Sequence, residues 1–207
     1  MPDFSLEDAH RGRGWSVIAG VDEAGRGALA GPVAAAAVIL PRAFSCPGLD
    51  DSKKLSAPKR DALYQFLSTH PQVIWSVALA SAAEIDTLNI LRATHLAMGR
   101  AVAALAVVPD HCLIDGLPVR GFPWPHDAIV KGDGRSFSIA AASIIAKVTR
   151  DRLMRDLHAE FPQYGFANHQ GYGTKQHLAA LRIQGPCCHH RRSFEPVAQL
   201  ALPLDGA

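Results

Sequence analysis

The sequence predicts an α/β protein, a mixed sheet carrying helices on both faces. Three observations lead there. Strand-like segments dominate the first third of the chain and then alternate with helical ones. The earliest strand candidates are apolar along their whole length, as strands covered on both sides must be. Helical stretches with apolar positions at helical spacing then supply the covering layers.

The elements follow in order. A polar leader rich in His, Arg and Gly precedes a first strand over 16–22, with Val17-Ile18-Ala19-Gly20-Val21 as its core. A glycine-rich turn (Gly25, Gly27, Gly31) leads into Pro32–Leu40, a second strand ended by Pro41. Its alanines would suit a helix, but eight residues between two prolines are short for one. Leu49–Ser56 is a polar loop whose Ser56 caps a helix with Pro58 in its first turn and Leu63, Phe66 and Leu67 on one face. Val73–Leu79 is a third strand. From Ser81 a long amphipathic stretch carries Ile85, Leu88, Leu91, Leu96, Met98, Val102 and Leu105, with a break near Asn89. Cys112–Asp115 and Ala128–Lys131 are the fourth and fifth strands, each ended by a glycine. A helix over 138–160 stops at Pro162, and a last one over 174–183 stops at Gly185.

The chain has 207 residues, 48% apolar and 19% charged, enough for a sizeable core. The expected organisation is a flexible leader over 1–15, one domain with a small helical appendage over 16–185, and a basic segment and tail over 186–207. The longest apolar run, Val33–Leu40, is too short to span a bilayer, and the N-terminus lacks the pattern of a secretory signal. Four cysteines, two of them adjacent, do not make a disulfide framework in a chain of this size. Together these point to a cytoplasmic protein with reduced thiols, with no membrane and a monomer as the default state. A formal charge of +2 permits a polyanionic partner without requiring one.

Chemistry gathers at strand ends. Asp22-Glu23, Asp115 and Asp133 each lie at or just beyond the C-terminal end of a strand, and Gly25, Gly116 or Gly134 follows closely. Open α/β sheets bind ligands along that edge. Carboxylates drawn from separate strands repel one another unless cations lie between them. An all-oxygen set selects hard Mg²⁺ or Mn²⁺ over zinc. Two such ions roughly 4 Å apart can hold the attacking water and the leaving oxygen of a phosphodiester. A single strand-end carboxylate is ordinarily a solvated loop residue; three that converge are harder to read that way. Asp22 and Glu23 are neighbours whose side chains alternate in a regular strand. Both serve one site only if the strand ends or bulges there, or if Glu23 uses its carbonyl.

Around this edge lie candidate substrate contacts. Gly25-Arg26-Gly27 offers backbone N–H groups to a close ligand, suited to a ribose 2′-hydroxyl, although a tight turn between strands accounts for it equally. Ser143, Lys147 and Asp151 form a polar stripe at i, i+4, i+8 that presents Ser143 and Lys147 to a phosphate, or else holds a Lys147–Asp151 surface pair. Tyr172, between two glycines, can stack on a sugar or base, or pack half-buried. Lys53, Lys54, Arg191 and Arg192 are candidate phosphate contacts. Cys187-Cys188-His189-His190 is discounted as a zinc site, because four consecutive residues do not make a tetrahedral set.

Two other classes compete. Gly25-x-Gly27-x-x-x-Gly31, with Asp50 about twenty residues on, has the look of a dinucleotide-binding fingerprint; Asp22 and Glu23 would repel its pyrophosphate, and Gly31-Pro32 leads into a strand-like run. A non-catalytic nucleic-acid-binding module, or another nuclease such as a junction resolvase, is the second. Four carboxylates argue against mere binding, and the Gly-Arg-Gly turn with Tyr172 argues for ribonucleotides.

Taken in order, the motifs resemble ribonuclease HII from Val17 to Val197. The segments are Val21-Asp-Glu-Ala-Gly-Arg-Gly27 with Ala30-Gly-Pro-Val33, Leu49-Asp-Asp-Ser-Lys-Lys-Leu-Ser56, Leu113-Ile-Asp-Gly116, Lys131-Gly-Asp133, Ile139–Val148 with Arg150-Asp151, Gly171-Tyr-Gly-Thr174, and His189-His-Arg-Arg-Ser-Phe194. The resemblance implies a ribonuclease H-like, five-stranded fold and a two-metal nuclease using Mg²⁺ or Mn²⁺ at Asp22, Glu23, Asp115 and Asp133. It implies recognition of the 2′-hydroxyl and junction by Gly25, Arg26 and Gly27, and sugar stacking by Tyr172. The substrates it implies are RNA/DNA hybrids and single ribonucleotides in duplex DNA, cut 5′ of the ribonucleotide to leave 3′-hydroxyl and 5′-phosphate ends. Ribonuclease HIII carries a further N-terminal domain, and the short leader here favours HII. Where bacterial members commonly have Gly-Tyr-Pro-Thr, this chain has Gly173, which loosens the turn and keeps the ring. Gln199–Leu204 resembles the peptide with which bacterial proteins dock on the sliding clamp.

Overall fold

The computed structural model describes residues 1–42 and 44–200. Its five strands are β1 (Ile18–Ala24), β2 (Val33–Ile39), β3 (Ile74–Ala80), β4 (His111–Asp115) and β5 (His126–Ile129), in the order β3-β2-β1-β4-β5. The pairs β1–β2 and β2–β3 are antiparallel, whereas β1–β4 and β4–β5 are parallel. The sheet is therefore mixed, and the parallel half sends Asp22 and Asp115 to the same edge. No helix among the described residues is long and apolar enough to cross a membrane.

Alternation along the alanine run of β2 shows why it is a strand. Ala35 and Ala37 join a core with Ala97, Met98 and Ala101, while Ala36 and Val38 join another with Ala140, Ile144 and Val148. The first helical layer is α3 (Ala82–Leu88) and α4 (Ile90–Ala103), and the second is α2 (Ala57–Thr69) and α5 (Phe137–Glu160). The break anticipated at Asn89 is there: its φ is 69°, and its side chain accepts from Arg92 N, so it caps α4. Ser56 occupies the N-cap of α2 but makes no side-chain cap bond. Small side chains let α5 lie close on β1; a Cβ on Gly20 would fall 2.1 Å from the Ser138 carbonyl carbon. Helices α6 (Phe166–His169), α7 (Lys175–Gln184) and α8 (Val197–Leu200) form the appendage, packed around Met154, Tyr164 and Phe166.

The leader differs from the expectation of flexibility. Residues Ser5–Arg11 form α1, and Glu7, 1% exposed, is driven into the N-terminus of α5. One Glu7 oxygen accepts from the Ser136 and Ser138 hydroxyls, both at 2.6 Å, and from Ser138 N at 2.9 Å. A carboxylate at a helix N-terminus satisfies orphan N–H groups and opposes the positive dipole end. The leader is thus a cap for the longest helix. Ends of elements moved by one or two residues elsewhere; β5 starts at His126 rather than Ala128 and stops at Ile129.

Candidate active site

Pairing between β1 and β4 stops at Val21↔Ile114, so the next residues, Asp22 and Asp115, sit side by side where the two strands are released. Pairing of β1 with β2 continues through Ala24↔Ala34, so β1 is free on one side only. Past β5, Lys131 takes a left-handed conformation (φ 56°) and starts a 3-10 turn over Gly132–Gly134 that swings Asp133 back toward the strand ends. One oxygen each from Asp22, Asp115 and Asp133 lie within 4.8 Å of one another. Glu23, on the same rim, accepts from the Arg26 guanidinium at 3.2 Å.

Burial makes the cluster costly. Asp22 is 3% exposed, and its carboxyl is held well above the usual carboxylate range by desolvation first and by the charges of Glu23 and Asp115 second. Glu23 is raised by desolvation, against the pull of Arg26, and Asp115 by desolvation and then by Asp133. Backbone N–H groups offset little of this: Glu23 N donates to Asp22 at 2.7 Å, and Gly132 N to Asp115 at 2.6 Å. Lys53 donates to Asp133 at 3.1 Å. Desolvation lowers the Lys53 ammonium, but the bond to Asp133 and the charges of Asp133, Asp22 and Asp51 outweigh it and raise the group. Lys53 on Asp133 and Arg26 on Glu23 leave Asp22 and Asp115 without a paired cation among the described residues. All-oxygen donors short of cations fit hard divalent ions.

A cleft of about 220 Å³ opens on this cluster, lined by Asp22, Glu23, Asp115, Gly25, Arg26, Gly27, Ser52, Lys53, Ser143, Lys147 and Tyr172 among others. Within it, Gly25 has φ +93°, and a Cβ there would strike the Arg150 guanidinium at 1.9 Å, so only glycine fits. The Tyr172 ring, 38% exposed, packs over that guanidinium at 5.7 Å and borders Gly27. Ser143 is buried and donates to Ser52 at 2.8 Å. Lys147 pairs with Asp151 at 2.7 Å, the surface-pair reading, while still facing the cleft.

Of the expected phosphate contacts, Arg191 is contradicted, and Lys54 and Arg192 lie outside this lining. Arg191 is 0% exposed, and its guanidinium donates to the carbonyls of Gly25 (2.7 Å), Arg26 (2.7 Å) and Gly31 (3.0 Å). No substrate oxygen reaches it, so it is corrected from phosphate contact to brace of the glycine turn. Lys54 is exposed and pairs with Asp50 at 3.0 Å. Arg192 is exposed outside the cleft, its backbone N–H fixed by Asp86 at 2.9 Å. Arg150 is the second brace and was not among the candidates; it is 1% exposed and donates to the Ala30, Pro32 and Gln170 carbonyls. A signal existed for it. Ala146, Arg150 and Met154 share one helical face, and a charge inside an apolar stripe has to be buried with partners.

The dinucleotide reading falls on topology: Gly31-Pro32 enters the antiparallel strand β2 rather than a helix. Comparison with known proteins agrees. A sequence model described as Ribonuclease HII matches residues 19–197. The chain is 56% identical to the ribonuclease HII of Ruegeria pomeroyi, covering 97% of this chain and 85% of that one. It is 58% identical to that of Burkholderia cenocepacia, over 94% and 87%. Among solved structures it resembles ribonuclease H2 from Pyrococcus horikoshii OT3 (TM-score 0.75, 25% identity, 89% of this chain and 97% of that one). It also resembles the ribonuclease HII in a PCNA complex from Archaeoglobus fulgidus (TM-score 0.70, 25% identity, 86% and 96%). With its ribonuclease H-like fold and its cluster of strand-end carboxylates, the chain belongs to the ribonuclease HII family of metal-dependent endoribonucleases, which cleave the RNA of RNA/DNA hybrids.

Proposed function

We propose that the protein cuts both RNA/DNA hybrids and single ribonucleotides embedded in duplex DNA, on the 5′ side of the ribonucleotide. Water attacks the phosphorus, the bond to the preceding 3′ oxygen breaks, and 3′-hydroxyl and 5′-phosphate ends result. The observation that carries this reading is the convergence of three carboxylate oxygens within 4.8 Å beside a glycine turn and an exposed ring. Two divalent ions, Mg²⁺ or Mn²⁺, held by Asp22, Glu23, Asp115 and Asp133 would supply the positive charge that the attacking water and the leaving oxygen need.

The chain's own groups select the substrate. The Gly25-Arg26-Gly27 backbone meets a ribose edge without a side chain in the way, and a 2′-hydroxyl both donates and accepts there. Arg150 and Arg191 lie beneath and donate to backbone carbonyls of the turn and its flanks, so they hold its shape rather than meet the substrate. Tyr172 offers its ring to the adjoining sugar, while Lys53, Ser143 and Lys147 face the strand across the cleft.

A duplex with one embedded ribonucleotide, offered with and without Mg²⁺ or Mn²⁺, tests the reading through its product ends. Tyr172→Ala should slow that cleavage about 5- to 160-fold, from a stacking contribution of about 1–3 kcal/mol. An unchanged rate would remove the ring from the site, and an intact duplex in both ions would sink the reading.

We further place the protein in the cytoplasm as a monomer, docking on a sliding clamp through Gln199–Leu204. The Archaeoglobus fulgidus relative in a PCNA complex lends support. Residues 201–204 of that peptide lie outside the described residues. A synthetic Gln199–Leu204 peptide that fails to bind purified clamp would end the idea.

A further inference from the structure

Far from the carboxylates, three ligand-type side chains meet on different elements: His10 at the end of α1, His111 at the start of β4 and Asp127 in β5. One ligand atom from each lies within 4.8 Å of the other two. His111 and Asp115 bound the same five-residue strand, so this cluster sits about 13 Å from the cleft, at the opposite end of the sheet. We propose that His10, His111 and Asp127 form a second metal site, one that takes Zn²⁺ and fastens the N-terminal helix to the sheet.

Hydrogen bonding at His10 gives the first reason. Its Nδ1 lies 2.8 Å from the Leu6 carbonyl, which can only accept, so Nδ1 carries the proton. In the neutral ring Nε2 then presents a lone pair, yet it lies 2.8 Å from an Asp127 carboxylate oxygen. Two acceptors at that separation need a cation between them, either a second proton or a metal. Nδ1–H on a backbone carbonyl is also the usual support of a metal-bound imidazole.

His111 decides between the two cations. It is 3% exposed, and neither of its ring nitrogens has a hydrogen-bond partner among the described residues. A protonated His10 leaves it so. Its Nε2 stands 3.8 Å from the same Asp127 oxygen, too far to hydrogen-bond. Atoms bound to one tetrahedral zinc at about 2.0 Å lie about 3.3 Å apart; the two gaps to Asp127, 2.8 and 3.8 Å, straddle that value. Two imidazoles and one carboxylate suit zinc rather than magnesium. Trp15 stacks on His111 at 3.9 Å and closes one side, held by Asp110, which accepts from Ser16 N and Val17 N. Asp127, 48% exposed, leaves the other side open for a water as fourth ligand.

The test is equilibrium dialysis of the full chain against micromolar Zn²⁺, with millimolar Mg²⁺ present and Asp22→Asn in place to weaken the carboxylate cleft. One zinc per chain is expected. His111→Phe, which keeps an aromatic ring in the stack, and Asp127→Asn should each weaken retention at least about tenfold, with circular dichroism unchanged. No zinc retained by the Asp22→Asn chain would overturn the proposal without recourse to the other variants. Equal retention by both variants would overturn it too, since the ion would then sit elsewhere.

Discussion

Asp22→Asn is expected to lower cleavage by at least about 10³-fold and, at the same time, to stabilise the metal-free protein. The rate loss follows from position: Asp22 is the most buried of the converging carboxylates, and losing a ligand costs more than the 10–100-fold typical of its outer supports. Stabilisation follows from the raised Asp22 carboxyl, with burial as the main cause. The folded chain keeps a proton that the unfolded chain releases near pH 4. Stability therefore falls as pH rises from about 4 through the folded value, the sign for a carboxyl raised on folding. Asparagine carries no such proton and should flatten the slope. Each kcal/mol relieved should raise the melting temperature by about 2–4 °C. Melts in chelator from acid to neutral pH, beside a cleavage assay, check both halves. An active variant, or parallel pH slopes, would contradict the site.

Arg191→Met should cost about 3–5 kcal/mol in urea denaturation and leave the salt dependence of substrate binding unaltered. Three carbonyls, on Gly25, Arg26 and Gly31, lose their donors inside the protein, at about 1–3 kcal/mol each. Some of that is returned. Burial, and next the neighbouring Arg150 charge, hold the Arg191 guanidinium below its ordinary range, so removing it relieves a repulsion. Arg191→Lys should recover little, because one ammonium cannot span three divergent carbonyls. A phosphate contact would behave in the opposite way, with small loss of stability and a salt slope shallower by about 0.9. That pattern would return Arg191 to the binding surface.

The sequence carried the fold through periodicity and punctuation. Strand β2 was legible because prolines bound its alanine run, and the α3–α4 break because Asn89 interrupts an amphipathic pattern. The three converging carboxylates were legible because Asp115 closes a strand, Asp133 follows one within a turn and Asp22 lies two residues from the end of β1. What escaped was whatever depends on partners distant in sequence. Nothing in His189–Phe194 separates a buried Arg191 from an exposed Arg192, since the distinction rests on carbonyls some 165 positions away. The leader read as loose because Glu7 finds Ser136 and Ser138 only in three dimensions. His10 and His111 carried no spacing signal, being joined through Asp127 on a third element.

The two walls of the carboxylate cleft lean on the same support. Asp22 rides on β1, in the middle of the sheet, where Gly20 lets α5 press against the backbone at Ser138. Asp133 rides on a three-residue turn beyond β5, and there too a Cβ, on Gly132, would fall 2.6 Å from Ile139 of α5. Both jaws therefore take their spacing from the first turn of one helix. A substitution that lifted that turn would spread the acidic pair without touching either carboxylate.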